Sequence, residues 1–243
     1  MSIFTIDKLA KSKDYVAQGA DSSLEAHSWG VYEILSQLLK KVNLGDRKKK
    51  IMKVAGYLHD IGKKNNQFQE VLKGESKDYL KHEAKTLDYI EDIKDNWEEI
   101  VNHLGLKLDC SDEILEDILA FAVSHHGLFF LSIDKNKEYQ VKRYWTEFSP
   151  EEQHRITLTD LLFEYHPAGG FIVLADLIHS YSLAKGINYQ KKVEELNDKE
   201  SILSFIEDYF DDEELVADKE EKEARMIEAL KEILKLTLGG VKL

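Results

Sequence analysis

From Lys48 to Lys63 the chain reads KKKIMKVAGYLHDIGK. Ile51, Val54, Ala55 and Leu58 fall at i, i+3, i+4 and i+7, the one-sided apolar spacing of an amphipathic helix, which predicts a helix over 48–61. The stripe runs into His59-Asp60 in what the spacing makes the last turn, and Gly62 stands where a C′ glycine would end the helix.

Working outward, the same spacing recurs. Leu24 to Lys41 carries His27, Val31, Ile34 and Leu38 on one stripe. Ser111 to His125 has Ser111 as N-cap, Asp112 and Glu113 in the first turn, and Ile114, Ile118, Phe121 and Ala122 inward. Ser149-Pro150-Glu151-Glu152 is a further start signal, with cap, N1 proline and acidic first turn. Gly169-Gly170 precedes the strongly apolar 171–183, and His82 begins another helix with a less regular stripe. Leu128 to Leu131 and Glu138 to Trp145 suit a short β-hairpin around Asp134-Lys135-Asn136. From Ser201 to Leu238 the chain reads as one or two helices ending at Gly239-Gly240. The expected class is all-α, a helical bundle over 1–185 with an acidic helical appendage over 186–243 and one short hairpin.

The nine histidines are unevenly informative. His27 continues the stripe of its helix; His125 and His126 fall seven residues after Ile118 and Leu119 and extend the inward faces of theirs. Asp176 lies four residues after Ile172 and seven before Leu183, on the buried side of its helix. Several helices thus aim an imidazole or carboxylate at a common interior. Any one of these, taken singly, reads better as a core histidine with a satisfied hydrogen bond, or as a surface one. An adjacent His-Asp followed by Gly-Lys, together with an adjacent His-His followed by Gly, is not explained that way. His103, His154 and His166 lie near helix ends or in polar loops and read as bystanders; His179, three after Asp176, can reach the site as a partner of its ligands.

The bulk numbers narrow the class. At 243 residues and 43% hydrophobic, the chain can bury a full core, and no stretch approaches the roughly 20 apolar residues of a membrane span. The single cysteine, Cys110, excludes an internal disulfide and fits a cytoplasmic setting. The net charge is −13, and 194–223 alone holds fourteen acidic residues against three lysines, leaving the remainder nearly balanced. A protein that grips duplex DNA unaided usually shows a basic face, and none is evident here.

The order His27, His59-Asp60, His82, His125-His126, Asp176 resembles the HD superfamily of metal-dependent phosphohydrolases. More finely, it resembles the HD nuclease of type I CRISPR systems. His59-Asp60-Ile61-Gly62-Lys63 followed by Phe68-Gln69 and Leu72 is similar to that family's second motif. Ser124-His125-His126-Gly127 is similar to its double-histidine motif, and Ala175-Asp176 with Ser180 to its last. The likeness runs from about Glu25 to Ser182. It implies that Asp60 bridges two divalent ions, one held by His27, His59, Asp60 and Asp176, the other by Asp60, His82, His125 and His126. Five imidazoles and two carboxylates suit Mn, Fe, Co or Ni better than Mg, which remains a candidate. Two ions about 3.5–4 Å apart can activate a water and stabilise both attacking and leaving oxygens at phosphorus. Asp60 and Lys63 are the implied catalytic pair, with Lys63 placing a cation near the scissile phosphate; otherwise it is a solvated lysine of Lys63-Lys64.

The implied activity is a hydrolase, a nuclease cutting single-stranded DNA in antiviral defence. Relatives of this kind are often fused to a helicase. No Gly-x-x-x-x-Gly-Lys-Ser/Thr loop occurs in this chain. A separate CRISPR helicase and an RNA-guided type I effector complex are therefore the expected partners, with no membrane involved. The acidic segment can dock on a basic partner surface, or be a solvated helix face. Lys142, Arg143, Tyr144 and Trp145, with Lys135, Lys137 and Tyr139, can form an edge that holds single strands by stacking and charge. The alternative is a hairpin packing its aromatics inward. Two other functions stay open: an HD-type nucleotide phosphohydrolase or phosphodiesterase, and a subunit whose main task is assembly.

Overall fold

The computed structural model describes residues 3–4, 8–12, 15–77, 81–125, 129–143 and 169–212. Among them the regular structure is helical except for one two-stranded sheet and an isolated bridge between Leu9 and Ser23. The helices are α1 (Leu24–Leu38), α2 (Asp46–Leu58), α3 (Asn66–Leu72), α4 (Ile90–Asp95), α5 (Trp97–His103), α6 (Asp112–Ser124), α7 (Gly169–Lys185), α8 (Tyr189–Glu195) and α9 (Lys199–Asp211). Short 3₁₀ segments cover Leu39–Lys41, Ile61–Lys64 and His82–Tyr89. No helix of the described residues is long and apolar enough to cross a membrane.

The predicted stripes become the core. Val31, Ile34, Leu35 and Leu38 of α1 meet Ile51, Met52, Val54, Ala55 and Leu58 of α2, and α2 in turn packs on Ile114, Ile118 and Leu119 of α6. Residues 171–180 of α7 are all buried, and the helix packs against α1, α2 and α6. A helix apolar on every side belongs in the centre of a bundle. Ser23 caps α1 by accepting from the Ala26 amide, and Ser111 caps α6 by accepting from that of Ile114, as the sequence predicts for α6. Ile3 and Phe4 are buried too, and the Phe4 ring meets Tyr57 edge-on at 5.2 Å.

The hairpin forms as expected, β1 (Phe129–Ile133) pairing antiparallel with β2 (Tyr139–Arg143) in the register Leu131 opposite Val141. Asp134 closes the turn, its carboxylate accepting from the amides of Asn136 and Glu138, while Lys137 takes a positive φ of 62°. Leu131 and Tyr139 pack toward the core, and the Tyr139 hydroxyl reaches Glu116 on α6 at 3.3 Å. For Tyr139 the inward-packing alternative holds. Lys142 lies on β2, whereas the side chain of Arg143, with Tyr144, Trp145 and the start signal at Ser149, lies outside the described residues.

Three local expectations change. The first helix is α-helical to Leu38 and finishes in a 3₁₀ turn at 39–41. The second stops at Leu58 instead of Ile61, since Asp60 leaves helical geometry (φ −101°, ψ 13°) and a 3₁₀ turn follows. Gly62 is not a positive-φ C′ glycine; it is needed for close approach. A Cβ there would stand 1.9 Å from the carbonyl oxygen of His82, so the 3₁₀ turns at 61–64 and 82–89 pack backbone to backbone. Third, the element beginning at His82 is 3₁₀ before it becomes α4. Of the acidic C-terminal stretch, α9 is described to Asp211, opened by a capping box between Asp198 and Ser201.

Candidate metal centre

Five of the seven candidate ligands sit where helices end or begin. His59 is the C-cap of α2 and His125 the C-cap of α6; His82 opens its 3₁₀ segment; His27 is in the first turn of α1; Asp60 follows His59. Asp176 comes from the middle of α7. These side chains are buried: His27, His59 and Asp60 are fully so, and the most exposed of the others, His82 and Asp176, reach only 5%. His126 lies outside the described residues.

The carboxylate of Asp60 divides the group in two. Its Oδ2 faces Nε2 of His27 at 3.3 Å and Nε2 of His59 at 3.4 Å. Its Oδ1 faces Nε2 of His82 at 3.0 Å and Nε2 of His125 at 3.5 Å. Asp176 joins the first side, with Oδ1 at 3.2 Å from Nε2 of His27 and 3.9 Å from that of His59, and it accepts from the Ser180 hydroxyl at 3.0 Å. In each of the sets His27–His59–Asp60 and Asp60–His82–His125, the potential ligand atoms all lie within 4.8 Å of one another. That is the compactness a single ion requires.

The imidazoles are oriented from outside. Nδ1 of His59 bonds the carbonyl of Gly56 at 2.8 Å, and Nδ1 of His125 that of Ala122 at 2.5 Å. A carbonyl only accepts, so Nδ1 carries the proton in both, and the Nε2 lone pair is left facing inward. Each acceptor lies three residues before its histidine, among the carbonyls that a helix end leaves without an amide partner. One local rule therefore aims both rings, and the negative ends of α2 and α6 converge on the same spot, which favours a cation. Nδ1 of His82 is 3.5 Å from the Glu83 carboxylate, and Nδ1 of His27 is 2.9 Å from Nδ1 of His179.

Charge within the cluster follows from these neighbours. Burial alone would raise the pKa of Asp60, but the Lys63 ammonium, 2.5 Å from Oδ2, and the adjacent His59 hold it well below the usual carboxylate range. For Asp176 burial is likewise overcome, first by Lys11, whose Nζ is 3.9 Å from Oδ1. Burial lowers the pKa of His59 and His82 despite their carboxylate neighbours, which keeps both neutral and able to ligate. His179 is pushed down to about 2 by burial and by His27. For His125 burial is outweighed by Asp60 and Glu83, and its pKa is raised.

The fit to divalent ions can be tested on the polar atoms themselves. Nε2 of His27, Nε2 of His59 and Oδ1 of Asp60 are buried without a hydrogen-bond partner among the described residues. Buried polar atoms are nearly always satisfied, so two such nitrogens on the Oδ2 side of Asp60 and an unpartnered Oδ1 on its other side match the needs of metal ions on both sides of the carboxylate. The donor set, neutral imidazole with carboxylate, is that of Mn, Fe, Co or Ni sites.

The trailing Phe68-Gln69 now has a physical role. The Phe68 ring meets His82 edge-on at 5.2 Å. Gln69, on α3, donates to the Lys63 carbonyl at 2.7 Å and exchanges two hydrogen bonds with the backbone of Leu9. It clamps the 61–64 turn to the N-terminal segment, which brings Lys11 to Asp176. Sequence reading overlooked Lys11 and Glu83. The His82-Glu83 adjacency was a usable signal; Lys11 had none, because only tertiary packing brings it near. The His103 ring packs on Trp29 and Tyr57.

A family profile described as HD domain matches residues 24–237 of the chain. No curated protein and no solved structure matches it.

Proposed function

We propose, from the premise that this chain belongs to the HD domain family, that its buried cluster is a two-ion centre hydrolysing phosphodiester bonds in single-stranded DNA. The family is one of metal-dependent hydrolases, and the described residues include groups able to hold divalent ions. The observation that carries the proposal is the division of Asp60, each oxygen turned to its own pair of imidazoles. That is the placement expected of a carboxylate shared by two ions.

In this reading His27, His59, Asp60 and Asp176 would hold one ion, and Asp60, His82, His125 and His126 the other. Such a pair would supply an activated water and positive charge for the phosphate oxygens. The chain's own residues do the rest. Gly56 and Ala122 fix the tautomers of His59 and His125, and Glu83 steadies His82. Lys63, on Asp60, and Lys11, at the Asp176 edge, put two cations beside the centre, where they would offset charge on a phosphate. Ligands this deeply buried suit a thin single strand better than a rigid duplex.

The narrower role, cleavage of strands supplied in CRISPR interference by a separate helicase and an RNA-guided effector complex, is supported by motif likeness. The His-Asp-x-Gly-Lys run, its trailing Phe68-Gln69 and the Ser124-His125-His126-Gly127 motif carry it. Lys142, Arg143, Tyr144 and Trp145 are proposed to guide the strand beside the hairpin. A nucleotide phosphohydrolase would use the same centre and is the competing outcome. Purified protein with Mn²⁺, Co²⁺ or Ni²⁺ is expected to degrade single-stranded DNA, and Asp60→Ala to abolish this. Turnover of nucleoside phosphates with DNA left intact would overturn the nuclease reading in favour of that competitor.

A further inference from the structure

His27 is held differently from the other three described imidazoles. Two outer nitrogens are hydrogen-bonded to backbone carbonyls and a third lies 3.5 Å from a carboxylate, but that of His27 rests on a second imidazole, Nδ1 of His179, at 2.9 Å. Two ring nitrogens at this distance share one proton. For His27 to present its Nε2 lone pair to the centre, it must donate from Nδ1, and His179 must accept at Nδ1 and keep its own proton on Nε2.

The fold is built to seat that second ring. Gly30, three residues after His27 on α1, leaves the slot: a Cβ there would stand 2.1 Å from both Cδ2 and Nε2 of His179. The Tyr189 ring lies 5.1 Å from that of His179, and the Tyr189 hydroxyl is anchored on Glu33 of α1. Beyond His179 an open cavity of about 460 Å³, lined also by Gln18, Asp21, Trp29 and Ser182, reaches toward solvent. His179 is 3% exposed, and among the described residues the hydrogen bond of its buried ring is to His27.

We infer that His179 is a positioning residue for one ion of the pair, the one assigned to His27, His59, Asp60 and Asp176, and not for the ion assigned to His82 and His125. It fixes the tautomer and the ring plane of His27, as outer partners of metal-bound histidines do. The inference rests on the two-ion reading of the cluster.

The test is a Mn²⁺ titration of the purified chain by calorimetry, for wild type, His179→Ala, His179→Asn and Gly30→Ala. Wild type is expected to bind two ions. His179→Ala is expected to weaken one of them about 10–100-fold and leave the other unchanged. His179→Asn, which keeps an oxygen acceptor for Nδ1 of His27, recovers most of that loss. Gly30→Ala, which drives the His179 ring off His27 toward the cavity, reproduces it. Added imidazole, entering through the cavity, restores the weakened ion in His179→Ala and leaves wild type unchanged. Two ions bound by His179→Ala with wild-type affinities would overturn the inference while leaving the two-ion reading intact. Equal weakening of both ions would overturn it too. A wild-type protein that binds no divalent ion would remove the reading on which it stands.

Discussion

Gly62→Ala is the substitution for which the structure sets the size of the effect most directly. The added methyl carbon would stand 1.9 Å from the carbonyl oxygen of His82 and 2.9 Å from its carbon, against a floor of about 3.0 Å for real contacts. Both obstacles are backbone, so no side-chain rotation relieves them. The turn at 61–64 and the segment from His82 must separate by roughly 1 Å, whereas metal ligands tolerate errors of about 0.2 Å. His82 is the ligand that moves, because Asp60 and His59 are held by α2 and by the Gly56 carbonyl. Overpacking of this kind costs about 1–3 kcal/mol of stability. Urea unfolding of the metal-free variant should show that loss, and a Mn²⁺ titration should show the ion at His82 and His125 weakened more than the ion at His27 and Asp176. Stability within about 0.5 kcal/mol of wild type, with two ions bound at wild-type affinity, would refute the close-packing argument.

Other perturbations probe the supports of the centre. Gln69→Leu strips three hydrogen bonds from the backbone of Leu9 and Lys63, and a loss of about 2–4 kcal/mol in urea unfolding is expected; a change below about 0.5 kcal/mol would show the clamp to be idle. Glu83→Gln removes the charge behind Nδ1 of His82 and should weaken Mn²⁺ binding about tenfold in a competition assay with a chelating dye, an unchanged curve counting against the assignment. In metal-free protein His59, His82 and His179 have folded pKa values below the free imidazole value of about 6.5, so their contribution is complete above that pH and is lost as pH falls. Asp60 and Asp176, also depressed, lose theirs at lower pH still, and His125, which is raised, acts in the opposite sense. The urea midpoint should therefore fall between about pH 7 and about pH 5, and a flat or rising midpoint would contradict these assignments.

Much of the architecture was legible because burial imposes a period. The stripes on α1, α2 and α6 identified both the core and the ligands that extend it, since His27 and His125 lie on the faces carrying Val31 and Ile118. Asp176 was legible for the same reason, as a carboxylate inside an apolar run. The 3₁₀ path from His82 was not. Its buried Glu83 and Thr86 lie three residues apart, a spacing that a short sequence shares between helix types, and the choice is made by contact with the 61–64 turn. Gly62 was read as a chain terminator because glycine commonly serves that role; its use as a contact surface depends on a segment some twenty residues away. Lys11 reaches Asp176 through the Gln69 clamp and the backbone pairing of residues 8–10 with 22–24, tertiary links that no local pattern announces. Of the fine distinctions, His179 was within reach because three residues of helix place it on the face of Asp176, yet its partner, His27, lies 152 residues away.

The claim at the centre of this account is that Asp60 joins two ions. Electron paramagnetic resonance of the Mn²⁺-loaded chain tests it most directly, since two Mn²⁺ ions about 3.5–4 Å apart and sharing a carboxylate are magnetically coupled. The account predicts a coupled spectrum at two ions per chain that Asp60→Asn removes. A spectrum of isolated Mn²⁺ at full loading, or a coupled one that survives Asp60→Asn, would contradict it.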